Sequence, residues 1–205
     1  MYLTKIEMDL SSPGVRAALR DGQKMHRLVC GFFGAARKDA EILYRYRVNG
    51  ITAEVYLYSA APLDRTRLLP GMRFAGERDL TPLLNAMREN DTFQFQLVTA
   101  PFRKIAEPGV KNSRRRAIPE REERFAWLER KAAQAGFRIC SLQETPAEKL
   151  SANHAAQSGG SLTVDAYTYT GVLQITDADL FRQAVCCGIG AEKAYGHGML
   201  MLKWG

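Results

Sequence analysis

The sequence has no apolar run near the roughly 18 residues that a membrane-crossing helix needs, and its first residues, MYLTKIEMDL, lack the hydrophobic stretch of a signal peptide. A protein working in the cytoplasm, with no membrane partner, is the expectation. Cysteine is sparse and poorly spaced for cross-linking: Cys30 and Cys140 stand alone, Cys186 and Cys187 are adjacent, and no C-x-x-C occurs. Buried thiols fit that pattern better than a disulfide framework or a metal cage. Histidine is scarcer still. His26, His154 and His197 are the whole set, and no two have the spacing of zinc ligands. There is no H-x-E paired with C-x-x-C and no G-x-S-x-G, so zinc deaminase and serine hydrolase chemistry are set aside. The nearest carboxylates, Asp177 and Asp179, fall at a helix start, where capping accounts for them. No metal and no cofactor is expected, and a metal-dependent nuclease is disfavoured. The RNP1 pattern of sheet-stacking RNA binders is missing as well.

What remains is a chain of 205 residues, 46% hydrophobic and 25% charged, with a net charge of +7. That composition suits a globular α+β protein, and the length suits two domains of about 100 residues each. The charge is concentrated. Between Pro101 and Ile118 stand Arg103, Lys104, Lys111, Arg114, Arg115 and Arg116 against the single acid Glu107. No apolar helical face accompanies the run, so a nucleic acid fits it better than a membrane; a solvated basic loop is the plain alternative.

In chain order, Tyr2 to Met8 alternates as a strand, and Ser12-Pro13 opens a short helix. Asp21 then caps a second helix, in which Met25, Leu28, Val29, Phe32 and Ala36 form the apolar stripe and His26 lies off its centre. Asn49-Gly50 between two alternating runs predicts a hairpin. The spacing predicts a connection over Pro62 to Gly76, a helix over Leu80 to Glu89 presenting Leu83, Leu84 and Met87, and a strand over Thr92 to Thr99. That order is the split βαβ plan of ferredoxin-like domains, with one unit closing near Ala100. The predicted domains are therefore 1–100 and 101–205. In the second, Phe102 to Ala106 is the candidate opening strand, Pro119 to Gly136 a helix, Phe137 to Leu142 a strand, Pro146 to Ser161 a long loop or mobile hairpin, and Leu162 to Ile175 a strand. Asp177 caps the last helix.

Near the end, GIGAEKAYGHGMLML places Gly188, Gly190, Gly196 and Gly198 around Lys193 ahead of an apolar strand. Glycines at this density let backbone N–H groups converge on a phosphate, with the lysine to neutralise it. The spacing matches neither a P-loop nor a dinucleotide fingerprint. A tight helix-to-strand connection, with glycines serving packing alone, explains the loop equally well.

MYLTKIEMDL, KMHRLV around His26, AWLERKAAQAGF from Ala126 to Phe137, and GIGAEKAYGHGMLML occur in the order found in the CRISPR-associated endoribonucleases of the CasE type, which this chain resembles over nearly its whole length. The resemblance implies two tandem ferredoxin-like domains, metal-independent cleavage of a CRISPR repeat RNA stem-loop, and retention of the product within the Cascade complex beside its other subunits. It places the catalytic histidine at His26. The family's tyrosine one turn earlier falls on Gln23, a departure, because an amide positions and polarises but does not carry a proton. In relatives a basic hairpin of the second half also grips RNA; the matching region, Glu144 to Ser161, offers only Lys149 and His154. The implied reaction is attack by a ribose 2′-hydroxyl on the adjacent phosphate, with His26 deprotonating the nucleophile or protonating the leaving oxygen. Lys24, Arg27 and Lys193 are candidates to stabilise the charge that develops on phosphorus. The rival expectations are a non-catalytic RNA-binding subunit and a nucleotide-binding enzyme using the glycine loop.

Overall fold

The structure is a computed structural model that describes residues 1–33, 41–105, 114–147, 150–153 and 161–204. Lys111, Lys149, His154 and Ala36, which the sequence reading singles out, lie outside the described residues.

Two four-stranded antiparallel sheets carry the fold. The first is built from β1 (Tyr2–Asp9), β2 (Leu43–Asn49), β3 (Thr52–Ser59) and β4 (Met72–Asp79), in the order β2-β3-β1-β4. Between β1 and β2 come α1 (Pro13–Leu19) and α2 (Gly22–Gly31). The second sheet has β5 (Thr92–Thr99), β8 (Phe137–Pro146), β11 (Tyr167–Ile175) and β12 (Leu200–Trp204), in the order β12-β5-β11-β8. Two-stranded hairpins, β6 (Phe102–Ile105) with β7 (Arg114–Ala117) and β9 (Leu150–Asn153) with β10 (Ser161–Val164), complete the strands. A short α3 (Thr81–Ala86) joins the sheets, while α4 (Arg121–Gln134) and α5 (Ala178–Cys187) belong to the second. Within each sheet the first strand in sequence sits between the third and fourth, which is the ferredoxin-like order, so the α+β tandem expectation holds.

Several element assignments need correction. Thr92–Thr99, expected to close the first unit, pairs with β11 and β12 and is the opening strand of the second sheet. Sheet membership therefore changes between Asp79 and Thr92, ahead of Ala100. The strand that closes the first sheet is β4, whose first half lies inside the stretch read as a connection. Not one β4 residue is buried, because it is an edge strand whose two faces stay partly wet, and it gives no apolar alternation to read. Phe102–Ile105 belongs to the β6–β7 hairpin rather than opening a sheet. The span read as one strand from Leu162 to Ile175 is two, β10 and β11, and β8 runs to Pro146. Leu84 in α3 and Met87 just past its end are buried as expected, but Leu83 is 41% exposed.

The local signals that did work have visible causes. The Asp21 carboxylate accepts from the Gln23 N–H at 2.9 Å and starts α2, while Asp177 accepts from Asp179 and Leu180 to start α5. Gly50 turns the β2–β3 hairpin at φ +59. On one face of the first sheet, Met25 and Val29 of α2 and Phe32 at its C-cap bury against Ile6, Met8, Val55 and Leu57. The opposite face is covered in part: Leu43 and Tyr58 join Phe95, Leu97 and Leu200 of the second sheet in one core, while Lys5 and Glu54 on the same face stay partly exposed. The Tyr58 hydroxyl donates to the Leu200 carbonyl at 3.2 Å, tying β3 to β12.

Candidate RNA-cleaving site

Three pieces meet around residues 188–198. The first is the start of α2. Capping by Asp21 orients this helix so that Lys24 and Arg27 are exposed and His26 is half-buried. Gln23 and His26, three residues apart, share a helix face. Cys30, one turn further, brings its Sγ to 3.7 Å from His26 Nδ1 and 3.9 Å from Nε2, so the thiol lies across the ring rather than in line with one nitrogen.

The second piece is the glycine loop, which packs a turn of 3₁₀ helix, Lys193–Tyr195, against α2. Gly188, Gly190, Gly196 and Gly198 all take positive φ. Two of them show what the glycines are for. A Cβ on Gly190 would stand 2.5 Å from Thr99 Oγ1, and one on Gly198 2.7 Å from the Ile189 carbonyl. These positions face protein, so the glycines let the loop lie flat on β5 and on itself; the packing reading accounts for their shape. Tyr44 of β2 donates its hydroxyl to the Ala194 carbonyl at 2.9 Å, which fixes the loop to the first sheet. The Tyr195 hydroxyl donates to Gln23 Oε1 at 3.5 Å. Sequence reading missed Tyr195 because it searched the loop for glycines and cations.

The third piece is the basic hairpin. Register sets Arg103 opposite Arg116, Lys104 opposite Arg115 and Ile105 opposite Arg114. Like charges placed directly across a ladder repel. Arg103 and Arg115 find carboxylates, Glu123 and Glu192, each at 3.1 Å; the first pair is solvent-exposed and contributes little, while Glu192 keeps only 14% of its side chain exposed. The Arg115–Glu192 pair also ties the hairpin to the glycine loop. Arg103, Lys104 and Arg115 line a groove of about 400 Å³ with Trp127, Arg130, Lys131, Gly190 and Ala191. The sequence-predicted basic run and glycine loop thus come together, and Arg130 and Lys131 of α4 join them unforeseen. His26 does not line that groove; it lies on the α2 side of the loop. Lys193 lines a neighbouring groove with Gly188, Gly190 and Lys131.

A further cleft, about 280 Å³, opens between the sheets, lined among others by Arg45, Arg47, Thr168, Tyr195 and His197. Arg45 and Arg47 alternate on β2 within Tyr44-Arg45-Tyr46-Arg47, a period-two signal that sequence reading passed over. Burial, and then the neighbouring Arg47 charge, lower the Arg45 pKa. No carboxylate pairs with Arg45 among the described residues; its Nη1 rests 3.9 Å from Met201 Sδ. His197 is 5% exposed, its Nδ1 has no hydrogen-bond partner among the described residues, and burial pulls its pKa down to about 4. It is a neutral ring at cellular pH. Among the described residues no three His, Cys, Asp or Glu side chains gather as a metal site, and no helix is long and apolar enough to cross a membrane.

The sequence model of the family described as CRISPR associated protein matches residues 1–203. The chain belongs to this family. A curated relative, the CRISPR-associated endoribonuclease Cse3 of Thermus thermophilus, is 26% identical over 213 aligned positions, covering 98% of each chain. Among solved structures, the CRISPR endoribonuclease Cse3 bound to a 19-nucleotide RNA aligns over 99% of this chain and all of that one, with a TM-score of 0.86 at 23% identity. A chain of a CRISPR RNA-guided surveillance complex, captured before nicking, aligns over the full length of both with a TM-score of 0.77 at 23% identity. These structural matches fix the fold of the family member described here.

Proposed function

We propose that this protein is a metal-independent endoribonuclease that cleaves CRISPR repeat RNA hairpins in the cytoplasm and remains bound to the product as a Cascade subunit. The observation that carries the reading is the docking of the His26 helix onto a glycine loop whose Glu192 is bound to the basic hairpin. A half-buried histidine on α2 and the cationic hairpin thus border the same loop from two sides, and the described hairpin register sets cation against cation. The relatives' names, an endoribonuclease and a chain of an RNA-guided complex, point the same way.

A polyanion relieves the cross-strand repulsion of the β6–β7 hairpin. RNA phosphates set between Arg103, Arg116, Lys104 and Arg115 turn a destabilising arrangement into a favourable one. Lys111 and Arg114 extend the same strip in sequence. An A-form stem hides its base edges in a deep groove, so shape, phosphates and 2′-hydroxyls are what such a strip reads. At the scissile position the 2′-oxygen attacks phosphorus, the bond to the 5′-oxygen of the next nucleotide breaks, and a 2′,3′-cyclic phosphate and a 5′-hydroxyl result. His26 either takes the proton of the 2′-hydroxyl or gives one to the departing 5′-oxygen. Lys24, Arg27 and Lys193, around the same loop, supply positive charge as the phosphorane develops. Gly188, Gly190, Gly196 and Gly198 act by keeping the loop thin enough to carry Lys193 there. Cleavage leaves the hairpin's grip on the stem intact, so the product stays bound.

The test is cleavage of a cognate repeat hairpin in excess chelator. His26→Ala should cut about 10²–10⁴-fold more slowly while RNA affinity, spread over many phosphates, is retained. A 2′-deoxy substitution at the cleaved nucleotide should stop the reaction without stopping binding. His26→Ala cutting at the wild-type rate would remove the histidine from the mechanism, and cleavage of the 2′-deoxy RNA would remove the mechanism itself.

A further inference from the structure

Gln23 occupies a position from which an amide can act in only one way at a time. Its carbonyl oxygen accepts hydrogen bonds and its NH2 donates them, so whichever end a protein partner holds, the other is turned away. Here the partner is a phenol hydroxyl, that of Tyr195, donating to Oε1 at 3.5 Å. The amide NH2 is the end that this contact leaves for another acceptor, three residues before His26 on the same helix face.

The main chain at both ends of this contact is fixed by the surrounding structure. The Gln23 backbone N–H is held by the Asp21 carboxylate at 2.9 Å. Tyr195 is only 9% exposed, and its neighbour Ala194 is held through its carbonyl by Tyr44. On the other side Gly196, at φ +83, passes so close to Tyr44 that a Cβ there would stand 3.1 Å from Tyr44 Cε2. A loop pinned on both flanks delivers the tyrosine to one place. Burial, followed by the nearby charges of Glu192 and Asp21, raises the phenol pKa, so the hydroxyl keeps its proton and remains a donor at cellular pH.

We propose that Tyr195 is a positioning residue for RNA cleavage: by holding Gln23 Oε1 from the second domain, it turns the Gln23 NH2 toward a non-bridging oxygen of the phosphate on which His26 acts. The inference rests on the endoribonuclease reading above. In this arrangement Gln23 touches the reacting phosphate and Tyr195 acts through it. The amide moves no proton. It supplies a neutral donor that steadies the phosphate as negative charge grows on its equatorial oxygens.

Tyr195→Phe keeps the ring and its packing and removes only the hydroxyl. Single-turnover cleavage, RNA affinity and the pH–rate profile would be measured for wild type, Tyr195→Phe, Gln23→Ala and the double variant, with circular dichroism melts to check folding. Loss of one hydrogen bond should slow Tyr195→Phe by about 2–10-fold, with affinity and the shape of the pH profile unchanged. Gln23→Ala should be slower still, and adding Tyr195→Phe to it should cost nothing more. A phosphorothioate at the contacted non-bridging oxygen should slow the wild type, and both single variants should respond to it less. Tyr195→Phe cutting at the wild-type rate, a loss that adds in full to that of Gln23→Ala, or an undiminished thio effect would each overturn the positioning role while leaving the nuclease in place. A wild-type protein that never cuts would overturn the nuclease reading, and the positioning role with it.

Discussion

His197 should make this protein sensitive to mild acid. The residue is 5% exposed, and among the described residues Nδ1 has no partner and the charged groups lining the cleft beside it are Arg45 and Arg47, both cations. Protonating it would place a third positive charge there. Burial lowers its pKa from 6.5 to about 4. The unfolded chain therefore binds this proton more readily than the folded one between those values, and stability must fall as pH falls through that window. The contribution is fully present above about pH 6.5. At 1.36 kcal/mol per unit, the site accounts for about 3 kcal/mol by pH 4. That is a large part of the roughly 5–15 kcal/mol that stabilises a typical domain. Urea melts at intervals from pH 8 to pH 4 would be compared for wild type and His197→Phe, which cannot titrate. Asp9, Asp64 and Asp79, whose pKa values are lowered by local hydrogen bonds to Ser11, Thr66 and Thr81, titrate alike in both proteins and cancel in the difference. The wild type should lose about 3 kcal/mol more than the variant across the window. Parallel curves would refute the reasoning and would mean that the ring finds a partner or water when charged.

Replacing Arg103, Lys104, Arg115 and Arg116 by alanine should weaken RNA binding and lower the slope of log affinity against log salt by about 0.7–0.9 for each phosphate no longer neutralised; an unchanged slope would assign the hairpin to another partner. Alanine at Arg103, Lys104 and Arg116 alone, with Arg115 kept for Glu192, should leave thermal stability unchanged or raised, since facing like charges are removed. Arg124 and Glu144, 8% and 5% exposed in their side chains, form a two-pronged pair at 2.9 and 2.7 Å, with the guanidinium 4.0 Å from the Tyr167 ring centre. Arg124→Met should destabilise by about 3–5 kcal/mol, because it strands a buried carboxylate, and adding Glu144→Leu should recover most of the loss in denaturant melts.

The local part of the fold was legible because its signals act over a few residues. Asp21, Asp177 and Asn49-Gly50 mark chain turns that their own side chains or φ angles enforce, and the apolar stripe of α2 predicts the face it buries. Sheet membership was not, since the alternation of TFQFQLVT states that Thr92–Thr99 is half-buried and says nothing about which sheet takes it. β4 escaped notice for the opposite reason: an edge strand with both faces partly wet has no pattern to lose. At the candidate site, His26 and the cationic run are singled out by residue type and motif. Arg45 and Tyr195 are not, because only the meeting of two distant segments brings them to one cleft. The glycines illustrate how composition can be right about a loop and incomplete about its cause, since the space that excludes their Cβ atoms is filled by Thr99, Leu43, Tyr44 and the loop's own backbone.

The pairing of α2 with the glycine loop has a consequence for the protein's synthesis. The two segments lie at opposite ends of the sequence, so a ribosome adding about 5–20 residues per second takes roughly 10–30 s between completing the helix and completing the loop that packs on it. Throughout that interval the nascent chain displays His26 without Tyr195, Lys193 or the strand β12 that anchors them. Translation thus sets a delay on the assembly of this helix–loop contact, and a message broken before residue 188 yields a chain that lacks it.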